Sequence, residues 1–177
     1  MSDLNILIID DEQSQIISLS SFLKRRNYHV HSANSGKEGI SKIRDEKIDL
    51  VITDYRMPEM NGLEVVKEIN KINPELPVVV ITAFSDVEDA IQVMKEGAFD
   101  YLSKPIDLDE LEVIIKKAQA RCELISENKL LKEQLRDDFK SDFIVTNSRK
   151  MEKILSITNR VAQSDSTVLI RGETGTG

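Results

Sequence analysis

The chain has 177 residues, of which 40% are hydrophobic and 31% are charged. That hydrophobic fraction suffices for a packed core and excludes a chain that is disordered throughout. The formal net charge of −7 argues against broad nucleic-acid binding by these residues, because affinity for the phosphate backbone depends on clustered Lys and Arg.

Targeting signals and disulfide bonds are not indicated. No apolar run approaches the length of a membrane span, and residues 1–5 lack the basic start and apolar centre of a signal peptide. Cys122 is the single cysteine, so an intrachain disulfide and a thiolate metal cluster are both excluded. We therefore expect a cytoplasmic protein with no membrane partner, in which Cys122 is a small apolar residue of a helix.

Short apolar runs alternate along the chain with segments of helical spacing. This alternation predicts five β-strands, each followed by a helix, in a doubly wound α/β domain with a parallel sheet. Three runs suit strands that are buried on both faces, and two further segments are weaker candidates. The strong candidates are Asn5–Ile9, Asp49–Thr53 and Pro77–Thr82, and the weaker ones are Tyr28–Ala33 and Phe99–Leu102.

Residues 107–138 form one unbroken helical pattern without Pro or Gly, and we expect this helix to project from the domain. Its first apolar stripe can pack on the sheet, whereas its second has nothing in this chain to cover it and predicts a two-stranded coiled coil. A solvated connecting helix remains the alternative. The first stripe is Leu111, Ile115, Ala118, Cys122 and Ile125, and the second is Leu124, Asn128, Leu131 and Leu135.

The pattern changes again after residue 140. Met151–Val161 has helical spacing, Thr167–Arg171 has the composition of a strand, and a Gly-rich stretch follows. We therefore divide the chain into an α/β domain over 1–120, a helical linker over 121–140 and the beginning of a second domain over 141–177.

Polar residues follow four of the predicted strands. In a parallel sheet these positions meet at the carboxyl edge, where ligands of doubly wound folds bind. Three crowded carboxylates resist ionisation unless a cation is near, and Mg²⁺ suits a site of oxygen ligands that also receives a phosphate. The residues are Asp10 and Asp11 after the first strand, Asp54 after the third, Thr82 at the end of the fourth, directly after Ile81, and Lys104 after the fifth.

Each of these residues also has a purely structural explanation when it is taken alone. Asp11 would be a helix N-cap, Asp54 a turn residue, Thr82 the last β-branched residue of a strand and Lys104 a surface lysine. Together they form a specific constellation that favours phosphoryl chemistry. A flavin mononucleotide site is disfavoured, because the acidic residues 10–12 would repel the phosphate of that ligand.

Residues 1 to about 120 resemble the receiver domain of two-component response regulators. The resemblance is carried by Ile-Asp-Asp-Glu at 9–12, Asp-Tyr-Arg-Met-Pro-Glu-Met-Asn-Gly at 54–62, Ile-Thr-Ala at 81–83 and Tyr-Leu-Ser-Lys-Pro at 101–105. It implies a flavodoxin-like sheet with strand order 2-1-3-4-5, and Asp54 as the acceptor of a phosphoryl group from a sensor histidine kinase. It also implies a Mg²⁺ ion bound by Asp11, Asp54 and the backbone carbonyl of Arg56, with Asp10 acting through a metal-bound water.

The same resemblance implies roles for the other residues of the constellation. Lys104 would pair with the phosphoryl group, Thr82 would bond to it, and the side chain of Tyr101 would change rotamer on phosphorylation. The Lys104–Pro105 peptide bond would be cis.

Residues 143–177 resemble the start of the AAA+ ATPase domain of activators that work with the sigma-54 factor. The sequence ends in a partial P-loop, Gly172, Glu173, Thr174, Gly175, Thr176 and Gly177, before the Lys and hydroxyl residue that would contact phosphate and Mg²⁺. We therefore expect ATP binding only in a full-length regulator, and we classify this chain as a phosphoacceptor regulatory region that is not an enzyme.

These observations together predict an NtrC-like response regulator in which phosphorylation changes the dimer or oligomer state. Its partners would be a sensor kinase, a second copy held through the linker or the receiver face, and, in the full-length protein, sigma-54 RNA polymerase and promoter-upstream DNA. The alternative is a Mg²⁺-dependent phosphohydrolase with an aspartyl-phosphate intermediate. Enzymes of the haloacid-dehalogenase type need a second Asp closely following the nucleophile, and position 56 is Arg here.

Overall fold

A computed structural model describes residues 4–83, 87–138 and 148–162, together with positions 167, 169, 171 and 172. The chain divides into two compact units, residues 1–125 and residues 126–177. The first unit contains a five-stranded sheet, and the second contains the end of a long helix and one further helix.

The sheet confirms the predicted fold. Its five strands are all parallel, in the order β2-β1-β3-β4-β5. The third and fifth strands begin and end one residue later than predicted, so Asp54 is the last residue of its strand and does not follow it. The second and fourth strands begin one residue later than predicted and end where predicted. The strands are β1 Asn5–Ile9, β2 His29–Ala33, β3 Leu50–Asp54, β4 Val78–Thr82 and β5 Asp100–Ser103.

Helices follow every strand of the sheet, as the alternation predicted. Within the described parts of the chain, no helix is both long enough and apolar enough to cross a membrane. The helices are α1 Gln13–Lys24, α2 Gly36–Asp45, α3 Gly62–Ile72, α4 Val87–Lys95, α5 Leu108–Asp138 and α6 Arg149–Ala162.

The apolar core has two layers, one on each face of the sheet. Successive strand residues point to opposite faces, so Ile6 and Ile8 join one layer while Leu7 and Ile9 join the other. Helices α1 and α5 cover the first layer, and α2, α3 and α4 cover the second. Burial on both faces explains why the central strands are continuous apolar runs.

The start of α3 packs directly on the end of β3. Asn61 is the N-cap: its side chain accepts from the Glu64 amide N–H, and the Glu64 carboxylate accepts from the Asn61 N–H. A Cβ atom on Gly62 would lie 2.5 Å from the Asp54 carbonyl oxygen, so this position requires glycine. The loop after Asp54 is thus held by α3.

Helix α5 confirms the first of the two predicted stripes. Leu111, Ile115 and Ala118 are buried against the sheet, and the partly buried Cys122 Sγ donates to the Asp49 carbonyl oxygen at 3.6 Å. In the second stripe Leu124 is 66% exposed and Leu131 is 50% exposed, and Asn128 is also exposed. The side chain of Leu135 lies outside the described residues.

The predicted second helix is present as α6, which begins two residues before Met151 and ends one residue after Val161. The predicted strand over 167–171 is not seen at its described positions, because Thr167, Leu169 and Arg171 have no regular secondary structure. Gly172 also has none, and the remaining P-loop residues, Glu173, Thr174, Gly175, Thr176 and Gly177, lie outside the described residues.

Candidate functional site

A cleft of about 300 Å³ opens at the carboxyl edge of the sheet. It lies where β1, β3 and β4 end and where the chain leaves β5, so residues far apart in sequence meet there. Its lining is dominated by charged side chains. The lining residues are Asp10, Asp11, Glu12, Gln15, Asp54, Arg56, Ala83 and Lys104.

Asp54 lies at the floor of this cleft and is 5% exposed. Its Oδ1 atom pairs with the Lys104 ammonium at 2.5 Å, and its Oδ2 atom accepts from the Arg56 amide N–H at 2.7 Å. The second contact is the turn-type hydrogen bond that the structural explanation of Asp54 anticipated. The first contact joins the ends of β3 and β5, which a turn residue does not require.

Asp10 is the second buried carboxylate of the cleft, with 2% exposure. Burial raises its pKa from 3.8 to about 6; the hydrogen bond from the Glu12 amide N–H, at 2.8 Å, acts in the opposite direction, and the charge of Asp54 raises the pKa further. An ionised Asp10 is therefore costly in the absence of a cation.

Lys104 supplies positive charge beside these carboxylates. Burial lowers its pKa, but the hydrogen bond and charge of Asp54, with the charges of Asp10 and Glu12, outweigh burial and raise the pKa above the ordinary lysine value. Lys104 is therefore charged throughout the physiological range. The Lys104–Pro105 peptide bond is cis, as the family resemblance implied.

Thr82 and Tyr101 lie outside the lining of the cleft. Thr82 is buried at the end of β4, and its carbonyl oxygen accepts from the Lys104 amide N–H at 2.7 Å. Tyr101 is 40% exposed on β5, so its ring is on the surface in this conformation. The backbone of Thr82 thus contacts Lys104, whereas the side chain of Tyr101 is exposed on the surface.

Asp11 is exposed at the mouth of the cleft and does not cap α1. The N-cap residue is Glu12, and no side chain there accepts a capping hydrogen bond. The explanation of Asp11 as a helix N-cap is therefore wrong. The Asp11 carboxylate lies at the entrance of the cleft that contains the buried Asp10 and Asp54.

The donor set of the cleft suits a hard divalent cation. Among the described residues, no three Asp, Glu, His or Cys side chains are already arranged as a metal site. The Asp54 carboxylate contacts the Lys104 ammonium and the Arg56 amide N–H, and the Asp10 carboxylate accepts from the Glu12 amide N–H. Both carboxylates therefore already have donors from the protein. Two buried carboxylates, one of them with a raised pKa, and a third at the mouth nevertheless fit Mg²⁺.

Three residues contribute to the site although no function was predicted for them from the sequence. Gln15 and Glu12 line the cleft from the start of α1, and Gly62 supports the Asp54 backbone from α3. Glu12 belongs to the acidic run 10–12, and Gly62 belongs to the Asn-Gly pair after Asp54, so both had a signal in the sequence. Gln15 had no sequence signal, because its place in the cleft depends on how α1 packs.

Comparison with protein families agrees with this geometry. The family described as the response regulator receiver domain matches residues 6–116, which is more than half of the chain. The chain belongs to the response regulator receiver family. The sigma-54 interaction domain matches residues 144–177, so a receiver domain is followed by the beginning of that domain.

Curated relatives share this organisation along nearly the whole chain. Transcriptional regulatory protein ZraR of Escherichia coli (strain K12) is 39% identical over 176 residues, and regulatory protein AtoC of the same strain is 38% identical over 172 residues. The alignments cover 99% and 97% of this chain, but only 38% and 37% of the relatives. The chain thus spans less than two fifths of the length of these relatives, which are NtrC-like response regulators.

Solved structures of receiver domains share the fold of the first unit. A response regulator receiver domain protein from Clostridium thermocellum has a TM-score of 0.66 and 37% identity, over 69% of this chain and 98% of that one. A receiver domain protein of the CheY-like type from Methanospirillum hungatei has a TM-score of 0.65 and 29% identity, over the same shares.

The sequence-based classification of the chain as a non-enzyme is wrong. Residues 144–177 match the sigma-54 interaction domain, and the relatives ZraR and AtoC are sigma-54 activators of the AAA+ ATPase type. The chain carries residues that match the beginning of this domain, so its classification as a region that is not an enzyme does not hold. The classification failed because it weighed the residues that P-loop chemistry needs and gave too little weight to the class of the whole protein.

Proposed function

We propose that this chain is a phosphorylation-controlled switch in which Asp54 accepts a phosphoryl group from a sensor histidine kinase. The contact between the buried Asp54 carboxylate and Lys104, at 2.5 Å in an open cleft, carries this proposal. A buried carboxylate at the end of a strand is accessible to an incoming phosphorus only where a cleft exposes it. The membership of the chain in the receiver family supports the same role.

Mg²⁺ would be held by Asp11, Asp54 and the backbone carbonyl of Arg56, with Asp10 acting through a bound water. The two buried carboxylates and the raised pKa of Asp10 support this assignment. When bound, the ion supplies positive charge that offsets the phosphoryl oxygens. Lys104, whose ammonium pairs with Asp54 Oδ1, supplies the second positive charge.

The transfer step needs little beyond positioning and charge. A carboxylate oxygen of Asp54 attacks the phosphorus of the kinase phosphohistidine, the phosphorus–nitrogen bond breaks, and the imidazole nitrogen keeps its electron pair. The product is an acyl phosphate on Asp54. Lys104 then contacts phosphoryl oxygens in place of the carboxylate oxygen that it now binds, so its charge stays compensated.

The conformational effect of phosphorylation would pass from Asp54 to Thr82 and Tyr101. The Thr82 hydroxyl bonds to the phosphoryl group, the ring of Tyr101 turns inward from its exposed position, and the face formed by α4, β5 and α5 changes shape. That change alters a dimer or oligomer formed through Leu124, Asn128, Leu131 and Leu135.

The full-length protein would couple this switch to transcription in the cytoplasm. It would hydrolyse ATP, contact sigma-54 RNA polymerase and bind DNA upstream of promoters. The sigma-54 interaction domain match and the relatives ZraR and AtoC support this part of the proposal.

Incubation with acetyl phosphate and Mg²⁺ tests the proposed acceptor. We expect one hydroxylamine-sensitive adduct per chain, detected by intact mass, that decays slowly and is absent in Asp54→Asn. Asp45→Asn, an exposed carboxylate on α2, serves as the matched control and should be labelled like the wild type. Rapid release of many phosphates per chain would contradict the switch and favour the phosphohydrolase.

A further inference from the structure

The C-terminal end of α4 is held by side chains of α3. The Asn70 Nδ2 atom donates to the Glu96 carbonyl oxygen at 2.8 Å, and the Lys67 ammonium pairs with the Glu96 carboxylate at 3.2 Å. The last carbonyls of a helix have no partner within the helix, so a donor from outside satisfies one of them. Asn70 therefore caps a neighbouring helix and not its own.

Gly97 makes this close approach possible. Its φ angle is +93°, and a Cβ atom there would lie 2.6 Å from Asn70 Nδ2. The Gly97 amide N–H donates to the Met94 carbonyl oxygen at 3.1 Å, and the Ala98 amide N–H donates to that of Val93 at 3.2 Å. The end of α4 is thus closed by backbone hydrogen bonds and anchored in the core by the buried Val93 and Ala98.

Helix α3 connects these contacts at the end of α4 to the proposed phosphoacceptor, Asp54. At its first residue, the Gly62 amide N–H donates to the Tyr55 carbonyl oxygen at 2.9 Å, and its Cα lies against the Asp54 backbone. Asn70 is eight residues further on, about 12 Å along the helix at a rise of about 1.5 Å per residue. One rigid element therefore contacts both the backbone of Asp54 and the end of α4.

We propose that Asn70 is a positioning residue that fixes the C-terminal end of α4 to α3, so that α4 responds to phosphorylation by moving about this end. The inference rests on the proposed switch function and specifies its mechanics. Helix α4 follows the Thr82 end of β4, whereas its C-terminal end is held by a hydrogen bond, an ion pair and a glycine-dependent contact. A pull transmitted from Thr82 would therefore displace the first turns of α4 more than the last.

Amide hydrogen exchange of the complete chain, with and without beryllofluoride and Mg²⁺, tests this inference. In Asn70→Ala without the phosphoryl mimic, we expect the amides of Glu96, Gly97 and Ala98 to exchange about five to ten times faster, as loss of one hydrogen bond allows. Amides of β1 and β3 should be unchanged, which separates the effect from general destabilisation.

Lys71→Ala is the matched control, because Lys71 is exposed on the same helix and pairs with Glu68. Asn70→Asp removes the donor while keeping the shape of the side chain, and should reproduce the effect of Asn70→Ala. In the wild type the mimic should change exchange in the first turns of α4 and leave residues 96–98 unchanged. In Asn70→Ala the change should extend to those residues.

Two results would overturn the inference. One is equal exchange at residues 96–98 in Asn70→Ala, Asn70→Asp and Lys71→Ala. The other is a wild-type response to the mimic that is largest at residues 96–98. Failure of Asp54 to take a phosphoryl group from acetyl phosphate would instead refute the proposed function, and the exchange comparison without the mimic separates the two failures.

Discussion

At the scale of single residues, the cleft contains two buried carboxylates, Asp10 and Asp54, and one lysine, Lys104, whose positive charge partly offsets theirs. Asp54 has Lys104 as a direct partner at 2.5 Å, whereas Asp10 accepts one backbone hydrogen bond and carries a pKa raised to about 6 by burial, with a further contribution from the charge of Asp54. A group that binds its proton more tightly when folded destabilises the folded state as pH rises. The ionised Asp10 carboxylate therefore lowers the stability of the metal-free folded protein.

Replacing Asp10 by Asn should therefore stabilise the metal-free protein. A carboxyl with a pKa of 3.8 unfolded and about 6 folded loses stability as pH rises from about 4 to about 6, by up to about 3 kcal/mol. Urea unfolding at pH 8 with a chelator should show Asp10→Asn to be about 1–3 kcal/mol more stable than the wild type. The Asn oxygen can still accept from the Glu12 amide N–H.

The control for this prediction is Asp11→Asn, the exposed neighbour at the mouth of the cleft. Its unfolding free energy should stay within about 0.5 kcal/mol of the wild-type value. The advantage of Asp10→Asn should shrink at pH 4, where the wild-type carboxyl is largely protonated in the folded state. A destabilised Asp10→Asn at pH 8 would contradict the account of Asp10.

At the scale of elements, α5 has two parts with different surroundings. Leu111, Ile115 and Ala118 are buried against the sheet, whereas Leu124 and Leu131 are exposed. The first part contributes to the free energy of unfolding of the receiver domain. Leu124 and Leu131, being exposed, should contribute little to it.

Two variants of α5 should therefore separate stability from association. Ile115→Ala removes a fully buried side chain and should lower the unfolding free energy by about 2–5 kcal/mol. Leu124→Ser combined with Leu131→Ser should leave that free energy nearly unchanged and shift the protein from dimer to monomer in sedimentation equilibrium.

Lys132→Ser, a charged position next to Leu131, is the control for the association experiment. It should sediment like the wild type. A double leucine variant that sediments identically to the wild type would favour the solvated connecting helix over the coiled coil.

At the scale of the whole molecule, the chain divides into two compact units, residues 1–125 and 126–177, and the boundary in the sequence falls inside the residue range of α5. Among the described residues, every member of both core layers lies in the first unit, and the last of them is Ala118. We therefore expect the first unit to fold without the residues that follow it.

A chain ending at residue 125 should fold and be phosphorylated like the complete chain. We expect its urea midpoint and its yield of acetyl-phosphate adduct to match those of the complete chain, since none of the removed residues that the structure describes belongs to either core layer. A chain ending at residue 106 lacks Leu111, Ile114 and Ile115 and should not unfold cooperatively. Loss of folding in the 125-residue chain would show that the second unit is required.

Much of the fold could be predicted because its signals are local. Continuous apolar runs at 5–9 and 78–82 reflect burial on both faces of the sheet, and the alternation with helices implied a parallel arrangement. Boundaries shifted by one residue at both ends of β3 and β5 and at the starts of β2 and β4, since apolar periodicity does not show where backbone pairing begins and ends. The strand predicted over 167–171 is not seen at its described positions, where composition was the only signal.

The sequence by itself determined the sheet, the buried stripe of α5 and which residues reach the carboxyl edge, because period and chain order decide these. Only the tertiary structure decided that Asp10 is buried while Asp11 is exposed, that Lys104 pairs with Asp54, and that Asn70 caps α4. Those contacts join residues separated by 26 to 50 positions. They depend on how helices seat on the sheet, and packing across such distances leaves no local pattern.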